Sequence, residues 1–479
     1  MQWQLAIHIK LSLDSNTPKI ITDQTGILSS TDFLTWLNEK RSSFAIANST
    51  SDIIAFTAQS DLFNIITPKS DIPAFITNKW EHKTFSWSDI PVNGNAHKSF
   101  QKLSPKQIIG ILDAVYQSDR HQVINDSDIP VWLDKAEDQI VKTRIAFLRE
   151  SIMKSLNEPA GIDSILSVGK KWGEIIYLSC LSNEKPSLQL QENIDNWSKV
   201  FFVNNGMEKV MFASTPKSPK SVDRILSHIK TKNNSKVALI CFDCMGWAEW
   251  LLLKNFLKDE DFNFEEEVLF AMLPSVTAIS RSAIFQGDSE VYNLKSPGRT
   301  LEAKSFATFF QDKQTFYFSD KDELSEDALL GYETISFLYT FFDELCHSTH
   351  FAPNDSDKEP YFEAVKRYLE KSTIKDNIKL LKNNGFTIYF CSDHGSVVAT
   401  GNGQKLEKYL VDNFAKRAAI IPVEASEHIS QLTIKIPFVD DKLLALPEGR
   451  TMFTYKNTIE VNHGGITVEE MVVPYIRLK

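Results

Sequence analysis

Asp and His are the side chains that most often hold borderline divalent ions, and in this chain they recur in one kind of place. Ser392-Asp393-His394-Gly395 ends the apolar run 386–391, which reads as a buried strand delivering two metal-capable side chains into a loop. Neighbouring side chains on a strand point to opposite faces, but the strand end and Gly395 let the chain turn so that both converge. Three other apolar runs end the same way. The run 237–242 leads into Asp243 and then Gly246, the run 334–339 leads to Asp343 with His347 four residues on, and the run 458–461 leads to Asn462-His463-Gly464-Gly465. Three Asp and three His, each just beyond a strand, suit Zn²⁺ or Mn²⁺, and hydrolases often hold two such ions close together. Open α/β sheets place their ligands at these carboxyl ends.

The segment 273–287 supplies the missing reactive group. A Pro-containing loop gives way to a short helix whose first turn begins near Thr277. By itself Thr277 reads as a helix N-cap. Beside a metal it reads as a nucleophile, because the ion lowers the hydroxyl pKa and the helix amides stabilise anionic phosphoryl oxygens. Arg281, one turn on, can pair with a phosphoryl oxygen; the alternative is a surface ion pair. Ser275, Ser280 and Ser282 flank Thr277, so its selection rests on position. His350 lies off the spacing of the other ligands and is set aside.

Strands alternate with helices from about residue 196 onward, the pattern of an α/β domain with a mainly parallel sheet. Residues 359–381 read as two helices stopped by Asn383-Asn384-Gly385. The stretch 405–439 is less regular and reads as an insertion, and 355–359 as a charged, solvated loop. Residues 104–190 are helical, with Pro105 at a first helical position and apolar residues at Ile108, Ile109, Ile111, Leu112, Val115 and Tyr116. The stripe reads as a bundle face, with partner binding as the minority reading. Residues 1–95 mix short strands, including the apolar runs 43–47 and 52–56, with helices; Asn93-Gly94-Asn95 marks the first boundary. The expected division is a small α/β domain over 1–95, a helical bundle or linker over 96–200 and a catalytic domain over 201–479.

At 479 residues, 42% hydrophobic and 24% charged, the chain has room for two or three ordinary globular domains. Its net charge of −10 argues against a surface that coats nucleic acid broadly. No run approaches the ~18 apolar residues of a membrane span. Met1-Gln2-Trp3-Gln4 lacks the start of a signal peptide, and a cytoplasmic location is expected. Five scattered cysteines fit reduced thiols better than disulfides. Cys241 and Cys244 have CxxC spacing without a second pair, so both read as small buried hydrophobes.

Taken together, 240–247, 273–287, Asp343 with His347, 392–395, 462–465 and the tail 466–474 resemble the alkaline phosphatase superfamily, and within it the PglZ-domain proteins of bacterial phage-defence and regulatory systems. The match in order and spacing covers roughly residues 200–479. The resemblance implies an alkaline-phosphatase-like sheet flanked by helices and two divalent ions, Zn²⁺ first and Mn²⁺ second. Asp243, Asp393 and His394 would bind one ion, which also contacts Thr277; Asp343, His347 and His463 would bind the other. Thr277 would attack phosphorus in line and form a phospho-threonine that water then hydrolyses. The implied activity is that of a phosphodiesterase acting on nucleotides or short or cyclic oligonucleotides, with other phage-defence proteins as partners. A phosphomonoesterase of the same superfamily and a scaffold subunit of a defence complex are the alternatives. A sulfatase is disfavoured, because the nucleophile position holds Thr277 rather than Cys or Ser.

Overall fold

Short apolar runs separated by polar turns build a parallel sheet at the amino-terminal end of the chain. In the computed structural model β1 (Lys19–Asp23) lies between β3 (Asn64–Thr67) and β4 (Glu81–Phe85), with β2 (Phe44–Ile46) beyond β3. The structure describes residues 2–59, 61–118, 121, 123–182, 184–288, 298–352, 357–404, 413–428 and 431–479. The apolar run 52–56 is helical, part of Thr50–Thr57, and not a strand. Its cause is a reciprocal capping box: Ser49 Oγ accepts from Asp52 N at 3.1 Å while Asp52 Oδ2 accepts from Ser49 N at 2.9 Å.

The chain divides into two compact units, Met1–Arg144 and Ile145–Lys479, rather than three. Ile108, Ile111, Leu112 and Val115 of the helix Pro105–Ser118 share one core with Trp3, Phe33 and Phe85, so the expected middle bundle has no separate existence. Asn93-Gly94-Asn95 is interior to the first unit. Ile124 N donates to Asn93 O at 2.7 Å, and Gly94 takes φ +110° where a Cβ would meet the Ile124 backbone. The division itself falls within the helix Ile129–Leu156.

The second unit is organised by six strands. They are β5 (Val237–Phe242), β6 (Phe264–Phe270), β7 (Thr315–Ser319), β8 (Thr334–Tyr339), β9 (Thr387–Ser392) and, from the far end of the chain, β17 (Val472–Leu478), in the order β6-β17-β9-β5-β8-β7. β7, β8, β5 and β9 are parallel, and β17 runs antiparallel to both its neighbours. Both faces are covered, which is why these runs are continuously apolar. Leu239, Cys241, Tyr389, Cys391 and Tyr475 pack with Ile225, Ile279, Ala283 and Phe306 from helices on one side. On the other, Phe242 stacks on Phe390 and Tyr339 and meets Phe341 edge-on, while Phe390 packs against Trp250.

The remaining strands form two small sheets. β10 (Val397–Gly401), β15 (Thr451–Met452) and β16 (Ile459–Asn462) pair in the order β15-β10-β16. β11 (Asn413–Ala415), β12 (Ala418–Pro422), β13 (Leu432–Lys435) and β14 (Lys442–Leu446) make an antiparallel sheet in the order β11-β12-β14-β13. The stretch expected to be irregular, 405–439, therefore contributes three strands, β11, β12 and β13, to this sheet, while 405–412 and 429–430 lie outside the described residues. Of the charged loop expected over 355–359, residues 355 and 356 lie outside them. Lys358 is not solvated. It is 4% exposed, its Nζ 2.6 Å from Glu249 Oε1 and 3.0 Å from Ser396 Oγ, because a buried ammonium must be paired and hydrogen-bonded. All five cysteines are free, and Cys241, Cys244, Cys346 and Cys391 are buried. Among the described residues no helix is long and apolar enough to cross a membrane.

Candidate active site

The register of the central sheet brings the acidic residues together. Phe242 of β5 pairs with Ser392 of β9 and with Tyr339 of β8, so the next residues in the chain, Asp243 and Asp393, leave adjacent strands side by side. Beyond β8 the chain enters the helix Phe341–Ser348, where Asp343 and His347 are one turn apart on the same face. β16 pairs with β10 in a register that sets Asn462 opposite Val397, and this carries His463 back over His394. The two imidazole rings stack at 4.1 Å with 20° between their planes.

Two donor clusters result, Asp243/Asp393/His394 and Asp343/His347/His463, each with its ligand atoms within 4.8 Å of one another. In the second, Asp343 Oδ1 is 3.3 Å from both His347 Nε2 and His463 Nε2, which are 3.4 Å apart. Donors placed ~2.1 Å from a tetrahedral ion stand ~3.4 Å from each other, so this triangle matches the ion without adjustment. In the first, His394 Nε2 lies 3.6 Å from Asp243 Oδ1 and 3.7 Å from Asp393 Oδ2. Asp393 Oδ2 is buried with no hydrogen-bond partner. A buried carboxylate oxygen without a donor is costly unless a cation meets it. Two mixed carboxylate–imidazole sets of this kind fit divalent ions.

Electrostatics point the same way. Burial, reinforced by Asp243, pushes the Asp393 carboxyl well above its ordinary range, and burial raises Asp243 despite the opposing charge of Arg281. Two adjacent buried carboxylates thus attract a cation strongly. Burial also acts to raise Asp343, but the hydrogen bonds from His347 and His463 outweigh it and hold that carboxyl far below the usual range. His347 is raised by its bond to Asp343. Burial and the neighbouring His463 keep His394 well below the usual imidazole range, hence neutral. With His394 Nδ1 donating to the Gly395 carbonyl at 3.1 Å, its Nε2 lone pair faces the cluster.

Thr277 is the first residue of the helix Thr277–Gln286; the N-cap is Val276, which has no side chain able to cap. Its hydroxyl is thereby freed from capping. Thr277 Oγ1 lies 3.0 Å from His394 Nε2 and 3.3 Å from Asp243 Oδ1. The three flanking serines are committed to the backbone. Ser275 Oγ donates to Gly465 O at 2.8 Å, Ser282 Oγ donates to Ala278 O at 2.7 Å, and Ser280 Oγ accepts from Met272 N at 2.9 Å.

Arg281 differs from expectation. It is 7% exposed, and its guanidinium is held by Asp243 through Nη1 and by Glu302 Oε1 through Nε at 2.6 Å. It is neither a surface ion pair nor an open clamp for phosphoryl oxygens, because buried carboxylates claim it first. Glu302 and Tyr317, whose hydroxyl donates to Glu302, extend this chain behind the first cluster. No local motif marks either residue. Glu470 was legible in principle: Thr467 and Glu470 form a capping box. Glu470 also accepts from Gly465 N at 2.8 Å and from Arg417 Nε and Nη2 at 2.7 and 2.9 Å. It fixes the loop that carries His463. His350 is exposed and belongs to neither cluster.

Residues 222–478 match the family model described as the BREX system PglZ alkaline phosphatase-like domain. The chain belongs to the PglZ family. Its PglZ domain thus lies within the second unit, and the fold is alkaline-phosphatase-like, a description that supports a phosphoesterase-type hydrolase. No curated protein matches the chain. Among solved structures the PglZ chain is similar to human ectonucleotide pyrophosphatase/phosphodiesterase 5, at 13% identity over 51% of this chain and 87% of that one, TM-score 0.34. An inactive form of the murine protein in complex with AMP matches at 13% over 51% and 88%, TM-score 0.34. Phosphonoacetate hydrolase from Sinorhizobium meliloti 1021 in complex with phosphonoformate matches at 12% over 51% and 90%, TM-score 0.29.

Proposed function

We propose that this PglZ protein is a metal-dependent phosphodiesterase that cleaves nucleotide or short oligonucleotide diesters through Thr277. The observation that carries the reading is the Thr277 hydroxyl, placed at a helix N-terminus and facing Asp243 and His394 at 3.3 and 3.0 Å. Asp243, Asp393 and His394 would hold one divalent ion and Asp343, His347 and His463 the other, Zn²⁺ or Mn²⁺. Such ions supply charge neutralisation and a lowered hydroxyl pKa.

The chain's own part is positioning. Thr277 Oγ1 gives up its proton and forms a bond to phosphorus as the bond to the leaving alkoxide breaks. Water then attacks the phospho-threonine from the vacated side, and Thr277 leaves with its proton restored. The first amides of the helix Thr277–Gln286 point at the phosphoryl oxygens and stabilise the charge that accumulates there.

Diesters are favoured over monoesters by the state of Arg281. A monoester carries an extra anionic oxygen that needs a free donor. Arg281 is spent on Asp243 and Glu302, and Lys416 is paired with Glu460. The net charge of −10 favours short or cyclic oligonucleotides over long duplex DNA, which is tracked with Lys and Arg. The five free cysteines fit a cytoplasmic protein, and the family description supports a role in phage defence.

The test is hydrolysis of bis(p-nitrophenyl) phosphate by the purified chain with Zn²⁺ or Mn²⁺, beside Thr277→Ala. Activity that needs the ion and falls by roughly 10³-fold or more in the variant is expected. Turnover that persists in Thr277→Ala overturns the nucleophile. Full biological activity of an Asp393→Ala protein in a phage-challenge assay would favour a scaffold instead.

A further inference from the structure

Against the edge strand β6 of the central sheet a cavity of about 460 Å³ opens. Its floor includes Tyr389 of β9, four residues before Asp393 and so about 13 Å along the strand from it. Tyr475 and Arg477 of β17 lie alongside. Lys170 reaches the cavity from the helix Ile162–Ser179, Lys217 from the loop before the helix Ile225–Thr231, and Lys232 from that helix's end. The volume is that of a small-molecule site, commonly ~300–1,000 Å³.

Its charges do not cancel. Of the acids on β6, Glu265 is taken by Arg477 and Lys479, and Glu266 by Lys254 and the indole of Trp250. Lys220 is paired with Asp163. Lys170 is attracted by Glu266, Glu174 and Glu267 and lies over the Trp247 ring, whereas among the described residues no carboxylate pairs with Lys217 or Lys232. A concentration of cations in a chain of net charge −10 runs against the average field of the molecule.

Two residues that line the cavity carry donors without acceptors. The Tyr475 hydroxyl is buried without a hydrogen-bond partner on a residue only 5% exposed, and Arg477 Nε is likewise buried and unpartnered. A buried donor left unpaired is costly unless a ligand satisfies it. Several donors converging from different elements suit the tetrahedrally arranged oxygens of a phosphate better than a planar carboxylate.

We propose that this cavity is a second ligand site, separate from the catalytic centre, for a phosphate-bearing small molecule of mononucleotide size. Lys217 and Lys232 hold the phosphate, and Tyr475 donates a hydrogen bond to the ligand. The site stands whether or not Thr277 is the nucleophile.

AMP is the probe. In the metal-loaded full-length chain, lysine acylation is followed residue by residue by mass spectrometry as AMP is titrated. Labelling of Lys217 and Lys232 is expected to fall at least about tenfold at saturation, equivalent to ~1.4 kcal/mol of protection. Tyr475→Phe should shift the half-protection concentration upward about threefold, the effect of one hydrogen bond. Thr277→Ala should leave the protection curve in place. Unchanged labelling at several millimolar AMP (about a thousandfold above a micromolar Kd) overturns the proposal. So does protection that disappears in Thr277→Ala, which would assign the effect to the catalytic centre.

Discussion

Arg281 occupies the position where a sequence reader expects a hand for the substrate, yet its guanidinium lies between Asp243 and Glu302. Removing one member of a buried ionic group leaves the rest uncompensated at a cost of about 3–5 kcal/mol. Arg281→Ala should therefore lower the unfolding temperature markedly when a chelator is present. Added Zn²⁺ should recover a large part of the loss, because an ion beside Asp243 replaces the missing positive charge. Thermal unfolding of both proteins with and without Zn²⁺ checks this. An equal loss in the two conditions would mean that Arg281 acts on packing and not on the charge of Asp243. The candidate ligand residues, which the fold gathers into two clusters, were readable because metal chemistry restricts residue type and strand ends restrict place. The partners of Arg281 were not, since Glu302 comes from a helix 21 positions along the chain with no motif of its own.

The loops after β5 and β9 depend on a close backbone contact. Gly395 is not at positive φ, so the freedom to turn that the sequence invites is not what the residue supplies. A Cβ there would sit 2.0 Å from the Glu469 carbonyl oxygen and 3.1 Å from Gly246 Cα, both backbone atoms. Neither can swing aside, and overpacking of this kind costs about 1–3 kcal/mol or more. Gly395→Ala is expected to destabilise the protein by ~2 kcal/mol or more and to weaken metal binding, since Asp393 and His394 share the loop. Isothermal titration with Zn²⁺ beside a denaturant curve measures both, and unchanged Zn²⁺ affinity would show that the loop tolerates the shift. At this scale the apolar runs of the second half announced their strands, because both faces of the sheet are buried. The run 52–56 misled, since apolar content alone does not separate a strand from a capped helix; Ser49 and Asp52 decided it.

Across the second unit, the closing segment joins sheet, loop and site. Glu469 and Glu470, in the short helix Val468–Met471 just before β17, are buried against Arg450 and Arg417. Burial acts to raise both carboxyls, but the arginine charge and the hydrogen bonds outweigh it, and both end below the ordinary range. Carboxyls depressed in the folded state stabilise the fold above their unfolded pKa, near 4.3, and that stability is lost as pH falls through the folded values. Asp195, beside Arg450, is raised by burial and works in the opposite sense. Glu470→Gln is expected to cost about 3 kcal/mol at pH 7 and to flatten the decline in unfolding temperature below pH 4.3. A pH series of unfolding temperatures tests this, and parallel curves for the two proteins would remove Glu470 from the acid response.

Residue chemistry and its order along the chain determined the candidate ligand set, the candidate nucleophile, the strands that deliver them and the family. Those features are local, because a strand end, a helix start and an Asp-His pair each carry their signature within a few residues. Tertiary structure decided the rest. It placed the helix Pro105–Ser118 in the first unit's core, turned the stretch after 413 into a sheet, and committed the serines around Thr277 to backbone partners. It also gave Arg281 to two carboxylates and gathered Lys170, Lys217 and Lys232 around a single cavity. Each of these is a competition among groups distant in sequence, settled by which charges and apolar faces burial forces together.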